Sequence, residues 1–390
     1  MEKRSVMILD GNTRQTLALA RIFGKRGIKV IIGGYSRLSR ALYSKYCAGF
    51  FLYPATGNTS DMHRVILNNV KRFKPDVLVP VLDRTYAIVL SNIDDYKAYT
   101  HIIPLPDLDT FMIMLDKQKV VEFALKSNVS VPKTLFYSGA GNIDEISRVV
   151  DYPVIVKPRF SCGGYGMCMA ESAADLKEKS VEMVRKYNRN NMPPEIFFNN
   201  SSCLIQEHVK GKVVNFIAYC QDSLAVACIM TETLANYPLP FGPALSVRNI
   251  KNDAVKDISF KLCRLLKWNG LIGFEYIISD TDTTPQLIDV HPRIYGSIEH
   301  AVVSGIDFPY MLFKKALNEQ FDLPADYQEG REFQWLITGK LINSFKTGAC
   351  FEAIKYYYKR RHVPNEVSFS DFMPHLIHVA CLLKSGKDMR

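Results

Sequence analysis

The chain has 390 residues, 47% hydrophobic and 23% charged, enough for two or three packed units that each bury a core. A formal charge of +10 favours an anionic ligand or surface, but no nucleic-acid-binding module or aromatic-basic face accompanies it, so no nucleic-acid partner is expected. The nine cysteines lack C-x-x-C spacing, which argues against a disulfide framework or zinc site and for reduced thiols in a cytoplasmic protein. No apolar stretch approaches the ~20 residues that span a bilayer, so no transmembrane segment is expected, and Met1–Ser5 leads into a strand, not a signal peptide.

In chain order, Ser5–Leu9 reads as a buried parallel strand, Asp10-Gly11-Asn12 as a turn and Thr13–Lys25 as a helix. Further strands are expected at Gly27–Ile32 and Asp76–Leu82. This alternation predicts a doubly wound α/β domain over residues 1–106. Its first strand-to-helix turn holds only Gly11, which does not satisfy the G-x-G-x-x-G dinucleotide pattern. The domain reads as a scaffold that helps hold a second substrate. Residues 107–127 are helical, with Leu108, Met112, Leu115, Val120, Phe123 and Leu125 at helical spacing and mostly on the core side. From about Asp151 shorter strands follow at 154–157, 167–170, 203–206, 213–220 and 224–231, an α+β texture of antiparallel sheet with helices at Asp175–Tyr187 and Asp253–Leu266. Asn188–Pro194 reads as an exposed loop.

Three segments carry chemistry. Pro153-Val154-Ile155-Val156-Lys157-Pro158 delivers a lysine from a buried run into the glycine-rich turn Ser161–Gly166, where exposed N–H groups beside an ammonium cradle phosphate. The plainer alternative is a glycine-rich hairpin. Leu204–Gly211 is an apolar strand ending in polar residues, the kind of hinge that offers main-chain groups to a purine edge; strand ends of this kind are also common without a ligand. Glu275 lies within Gly270–Ile277 and Asp289 within Gln286–Arg293, with His291 two residues on and hence on the same face. Facing buried carboxylates need cations; Arg293 and Mg2+ are the candidates, and a metal-free Arg–carboxylate pair is the alternative.

Taken in order, these segments resemble the ATP-grasp superfamily of carboxylate–amine ligase type, over about residues 5–320. The resemblance implies a pre-ATP-grasp domain at 1–106 and an ATP-grasp domain at 107–320 with its lid at about 130–205; residues 321–390, outside it, read as a basic, mostly helical segment. It implies that Lys117 and Lys157 contact ATP phosphates, that the lid backbone at Ser161, Gly163, Gly164 and Gly166 covers them, and that Glu207 and Val209 flank adenine. It further implies that Glu275, Asp289 and His291 surround Mg2+, with Mn2+ as a substitute. His291 departs from the Asn usual in the family and is a poorer ligand for Mg2+. Gly211–Asn215 lacks the usual acidic residue, which leaves the ribose contact unassigned.

The implied reaction joins a small-molecule carboxylate to an amine through an acyl phosphate, releasing ADP. Arg293 would stabilise the acyl phosphate and oxyanion, and Arg248 would help position it. Two alternatives stand beside it: action on bicarbonate or carbamate, as in the carbamoyl-phosphate-synthetase-like branch, and a nucleotide-binding protein without turnover. Beyond residue 325, Phe351–Arg361 and Phe372–Lys384 read as helices. Residues 331–390 carry ten Lys/Arg against five Asp/Glu. The run Tyr356–His362 is expected to be a solvated helix face, with a peripheral contact to an anionic membrane as the alternative.

Overall fold

A computed structural model describes residues 3–54, 58–139, 141–161, 163–187, 202–337, 344 and 350–385. Asn188–Pro194 and Cys162 of the glycine-rich turn lie outside them. The first unit runs β1 (Ser5–Ile8), α1 (Arg14–Lys25), β2 (Lys29–Gly34), β3 (Cys47–Leu52), α2 (Thr59–Phe73), β4 (Val77–Val79), α3 (Asp83–Ser91), α4 (Ile93–Lys97) and β5 (His101–Ile102). Its five strands are parallel, in the order β3-β2-β1-β4-β5. The central strand β1 is buried throughout, as expected of parallel strands with helices on both faces. The expected strand at Asp76–Leu82 is shorter because Val81 and Leu82 turn away to open α3.

Next come α5 (Leu108–Leu115), α6 (Lys117–Lys126), β6 (Thr134–Tyr137), α7 (Ile143–Val149), β7 (Val154–Pro158), β8 (Cys168–Ala170), α8 (Ala173–Tyr187) and β9 (Cys203–Glu207). Four of these form an antiparallel sheet in the order β6-β9-β7-β8. The chain continues through β10 (Gly211–Gln221), β11 (Leu224–Asn236), β12 (Ala244–Asn249), α9 (Asp253–Leu265), β13 (Gly270–Ser279), β14 (Gln286–His291), α10 (Ile298–Val303), α11 (Phe308–Ala316) and β15 (Glu332–Gln334). These strands make a six-stranded antiparallel sheet, β14-β13-β10-β11-β12-β15.

The cores divide unevenly. Val6 and Ile8 of β1 share one continuous core with Phe216 of β10, Phe274 of β13 and Leu312 of α11. The four-stranded sheet keeps a small core of its own, with Tyr137, Ile146, Val156, Leu176 and Ile205.

Two last helices, α12 (Cys350–Lys359) and α13 (Met373–Ser385), agree with the helical expectation for the tail. The second packs inward, with His375, Cys381 and Leu382 buried. Arg21 of α1 anchors this region, pairing with Asp371 at 2.8 Å and donating to the carbonyls of Glu366 and Asp371 at 2.6 and 2.9 Å. Both side chains of that pair are almost wholly buried. Among the described residues no helix is long and apolar enough to cross a membrane.

Candidate active site

The site starts at Asp10, which lies two residues past β1, has a positive φ of 60° and is fully buried. Its carboxylate accepts from Tyr35 Oη (2.5 Å), Tyr53 Oη (3.0 Å), Leu82 N–H (2.7 Å) and Thr85 Oγ1 (2.6 Å). These bonds fix the turn into α3, and with it Asp83. Asp83 in turn accepts from Arg293 Nε at 2.7 Å, while Arg293 Nη1 donates to the Ile294 carbonyl at 3.0 Å. The carboxylate holding Arg293 therefore comes from the first domain, not from Glu275 or Asp289.

On the six-stranded sheet, Glu275 of β13 lies opposite Asp289 of β14, and Gly273 opposite His291. Residues directly opposite one another share a face, so Glu275, Asp289 and His291 converge. One ligand atom from each lies within 4.8 Å of the others. His291 Nε2 is 3.6 Å from Glu275 Oε2. Two carboxylates suit a hard divalent cation and leave room for phosphate oxygens; the imidazole is the poorer partner. Tyr295 closes one side, its ring 5.0 Å from that of His291 and its hydroxyl 2.5 Å from Asn215 Oδ1. Gly273 lies beneath it, and a Cβ there would stand 3.1 Å from the Tyr295 ring, close enough that the ring would have to give by a few tenths of an ångström.

Two lysines meet these acids. Lys117, on the first turn of α6, reaches Asp289 Oδ1 at 2.6 Å. Lys157, near the end of β7, is buried and donates to Gln206 Oε1 at 2.5 Å. Burial pulls Lys157 down to about 8, a shift that Asp289 and Glu275 oppose and Lys117 reinforces. Burial alone would raise the Asp289 carboxyl, but the charges of Lys117 and His291 and the hydrogen bond from Lys117 hold it below its usual value. Asp116 binds Arg159 through both oxygens, at 2.8 and 2.6 Å, and so ties α6 to the end of β7.

The turn after β7 carries Gly163, Gly164 and Gly166 at positive φ, with Ser161 half-buried before them. A Cβ on Gly164 would fall 1.5 Å from the Phe241 carbonyl oxygen, so the turn lies directly against the β11–β12 connection. Glu207 is exposed, and its N–H donates to the Lys133 carbonyl at 2.9 Å. Any base-edge contact by Glu207 and Val209 therefore uses other backbone groups of residues 207–209.

Arg248 requires a correction. It pairs with Glu232 at 3.3 Å and lies opposite it across β11–β12. Glu232 neighbours Thr231, which aligns through Asn215 with Glu275. Strand alternation thus puts Arg248 on the sheet face away from Glu275, where it cannot position the reacting groups. Sequence reasoning also missed Asp83, Gln206, Arg159 and Tyr295. Arg159 follows Lys157-Pro158 directly and Tyr295 follows Arg293 by two, so proximity in sequence was a usable signal; Asp83 carried none.

Residues 116–323 match the family model for the carbamoyl-phosphate synthase L chain, ATP-binding domain. Over 245 residues, 60% of this chain, it is 23% identical to the carbamoyl phosphate synthase large chain of Methanothermobacter thermautotrophicus. That match spans 22% of the relative's length, so the relative's overall reaction does not transfer with it. Among solved structures, a biotin carboxylase from Campylobacter jejuni in complex with an ATP analogue superposes with a TM-score of 0.65 and 17% identity, covering 85% of this chain and 74% of that one. N5-carboxyaminoimidazole synthetase from Staphylococcus aureus gives 0.64 and 15%, covering 89% and 87%. The family match includes both lysines, the glycine-rich turn and the Glu275–Asp289–His291 cluster: the chain belongs to the carbamoyl-phosphate synthase ATP-binding-domain family and has the ATP-grasp fold.

Proposed function

We propose that the chain is an ATP-dependent ligase that activates a carboxylate as an acyl phosphate and passes the acyl group to an amine, releasing ADP and phosphate. The observation that carries this reading is the convergence of Glu275, Asp289 and His291 with Lys157, from two different sheets, and with Lys117 of α6, beside a glycine-rich turn. Lys157 and Lys117 would bind the phosphates, and the N–H groups of the turn at Ser161, Gly163, Gly164 and Gly166 would cover them. Glu275 and Asp289, with His291 alongside, would hold Mg2+, which supplies charge neutralisation on the phosphates when bound. Lys117 balances Asp289 in the chain alone and is placed to turn to phosphate once a cation takes over that carboxylate.

Arg293, oriented by Asp83, would steady charge on the acyl phosphate and on the oxyanion formed when the amine attacks. Residues 207–209 would line the adenine. Bicarbonate is a second candidate for the acid, favoured by the kinship with the carbamoyl-phosphate synthase domain. A screen of acids and amines for ADP release, with mass spectrometry of products, tests both readings. Substrate-dependent ADP with a coupled product supports ligation, a carboxylated or carbamoylated product selects bicarbonate, and release of AMP and pyrophosphate excludes the acyl phosphate.

A further inference from the structure

Arg14, on the first turn of α1, takes no part in the contacts described above. Its guanidinium lies over the Trp335 ring, 4.1 Å from the centroid, and Nη1 donates to the Ala244 carbonyl at 3.1 Å. Trp335 is itself fixed, buried with its backbone N–H donating to the Leu245 carbonyl at 2.8 Å and its ring edge-on to Phe333 at 5.1 Å. The chain leaving Arg293 passes close by, for a Cβ on Gly296 would stand 2.8 Å from Arg14 Nη2. Tyr295 therefore touches the carboxylate cluster through Asn215 and His291, and adjoins Arg14 through Gly296.

A guanidinium has five N–H donors, and the Ala244 carbonyl takes one of them. Arg14 forms no salt bridge among the described residues, whereas Arg293 is matched by Asp83. Burial lowers Arg14 to about 10, with Tyr295, Glu366 and Glu299 opposing the shift and Arg293 adding to it, so it stays charged at neutral pH. A half-buried, stacked and oriented guanidinium is a strong receptor for an oxyanion. Arg14 and Trp335 themselves lie outside residues 116–323, the part that matches the family model.

We propose that Arg14, held by Trp335 and Gly296, binds an oxyanion, a carboxylate or a phosphate, carried by the amine substrate. The assignment to the amine rests on the ligase reading; the oxyanion site does not. The test uses the full chain, with and without ADP and Mg2+, and three probes followed by ligand-observed NMR: glycine, phosphoethanolamine, and ethanolamine, which lacks the oxyanion. At least one of the first two should bind tenfold or more tightly than ethanolamine, and which one does so distinguishes carboxylate from phosphate. Arg14→Ala should erase that preference. Gly296→Ala keeps every charge but pushes the guanidinium aside, and should weaken the preferred probe at least fivefold; ADP affinity should stay within twofold in both. A wild-type chain that treats the three probes alike, or variants that keep the preference, would overturn the proposal. Failure of the wild type to bind ADP would instead sink the ligase reading, while the nucleotide-free titrations still decide the receptor.

Discussion

The state of Lys157 makes ATP affinity depend on pH in a calculable way. Burial holds this lysine at about 8 in the free chain, against 10.5 for an exposed one. Nucleotide phosphates favour the ammonium, so binding raises that value and takes up a proton where the free amine is neutral. If only the charged form binds, affinity follows the protonated fraction. That fraction falls from roughly nine-tenths at pH 7 to roughly one-tenth at pH 9 for a group titrating near 8, so ATP should bind about tenfold more weakly at pH 9, about 1.4 kcal/mol. Folding has the opposite sense: a lysine held below its unfolded value leaves the folded chain with fewer protons, so its contribution to stability rises between pH 8 and 10.5. Calorimetry without divalent cations, in buffers of different ionisation enthalpy, reads both the affinity and an uptake of about half a proton at pH 8. Affinity that stays flat from pH 7 to 9, or a slope that survives in Lys157→Gln, would refute the reasoning.

Glu275→Gln and Asp289→Asn should each abolish ADP formation while leaving cation-free nucleotide binding in place; near-normal turnover at low Mg2+ would make that residue structural. His291→Asn should retain activity if the imidazole only fills the cation side of the cluster, and a large loss would place it on substrate. Gly164→Ala puts a side chain at φ 71° and against the Phe241 carbonyl; with left-handed strain of about 1–2 kcal/mol ATP should bind at least fivefold more weakly in a titration, and unchanged affinity would separate this turn from the nucleotide. Arg293→Lys keeps the charge and loses the fork, so ADP formation should fall roughly a hundred- to thousandfold with ATP affinity nearly unchanged, and normal turnover would remove Arg293 from the chemistry. Asp371→Asn leaves Arg21 buried without its counter-charge and should cost about 3–5 kcal/mol in denaturant unfolding; a loss below about 1 kcal/mol would mean that the C-terminal segment does not clamp α1.

The readable parts of this chain were those governed by local pattern. β1, α1 and β7 follow from an apolar run, a helical pattern after the Asp10-Gly11-Asn12 turn and a proline-bounded strand, and the carboxylate cluster follows from a period of two along β14. Pairings across long separations were not readable. Arg293 meets Asp83 across 210 positions and Arg21 meets Asp371 across 350, and no periodicity encodes such a contact. Arg248 failed for a related reason: its side is set by the register of β11 with β12, which the sequence alone does not supply. The docking of α13 against the 3-10 turn Arg40–Tyr43 of the first domain was unreadable for the same reason, since the two segments lie more than 300 positions apart.

Acyl phosphate formation is the central claim, and the fate of a carboxylate oxygen tests it most directly. The acid that stimulates ADP release is supplied with both carboxyl oxygens labelled with 18O, together with ATP, Mg2+ and its amine, and the phosphate released is weighed. The account predicts one labelled oxygen in each phosphate formed, matched by loss of one from the ligated product. Unlabelled phosphate, or AMP and pyrophosphate in place of ADP and phosphate, would contradict it.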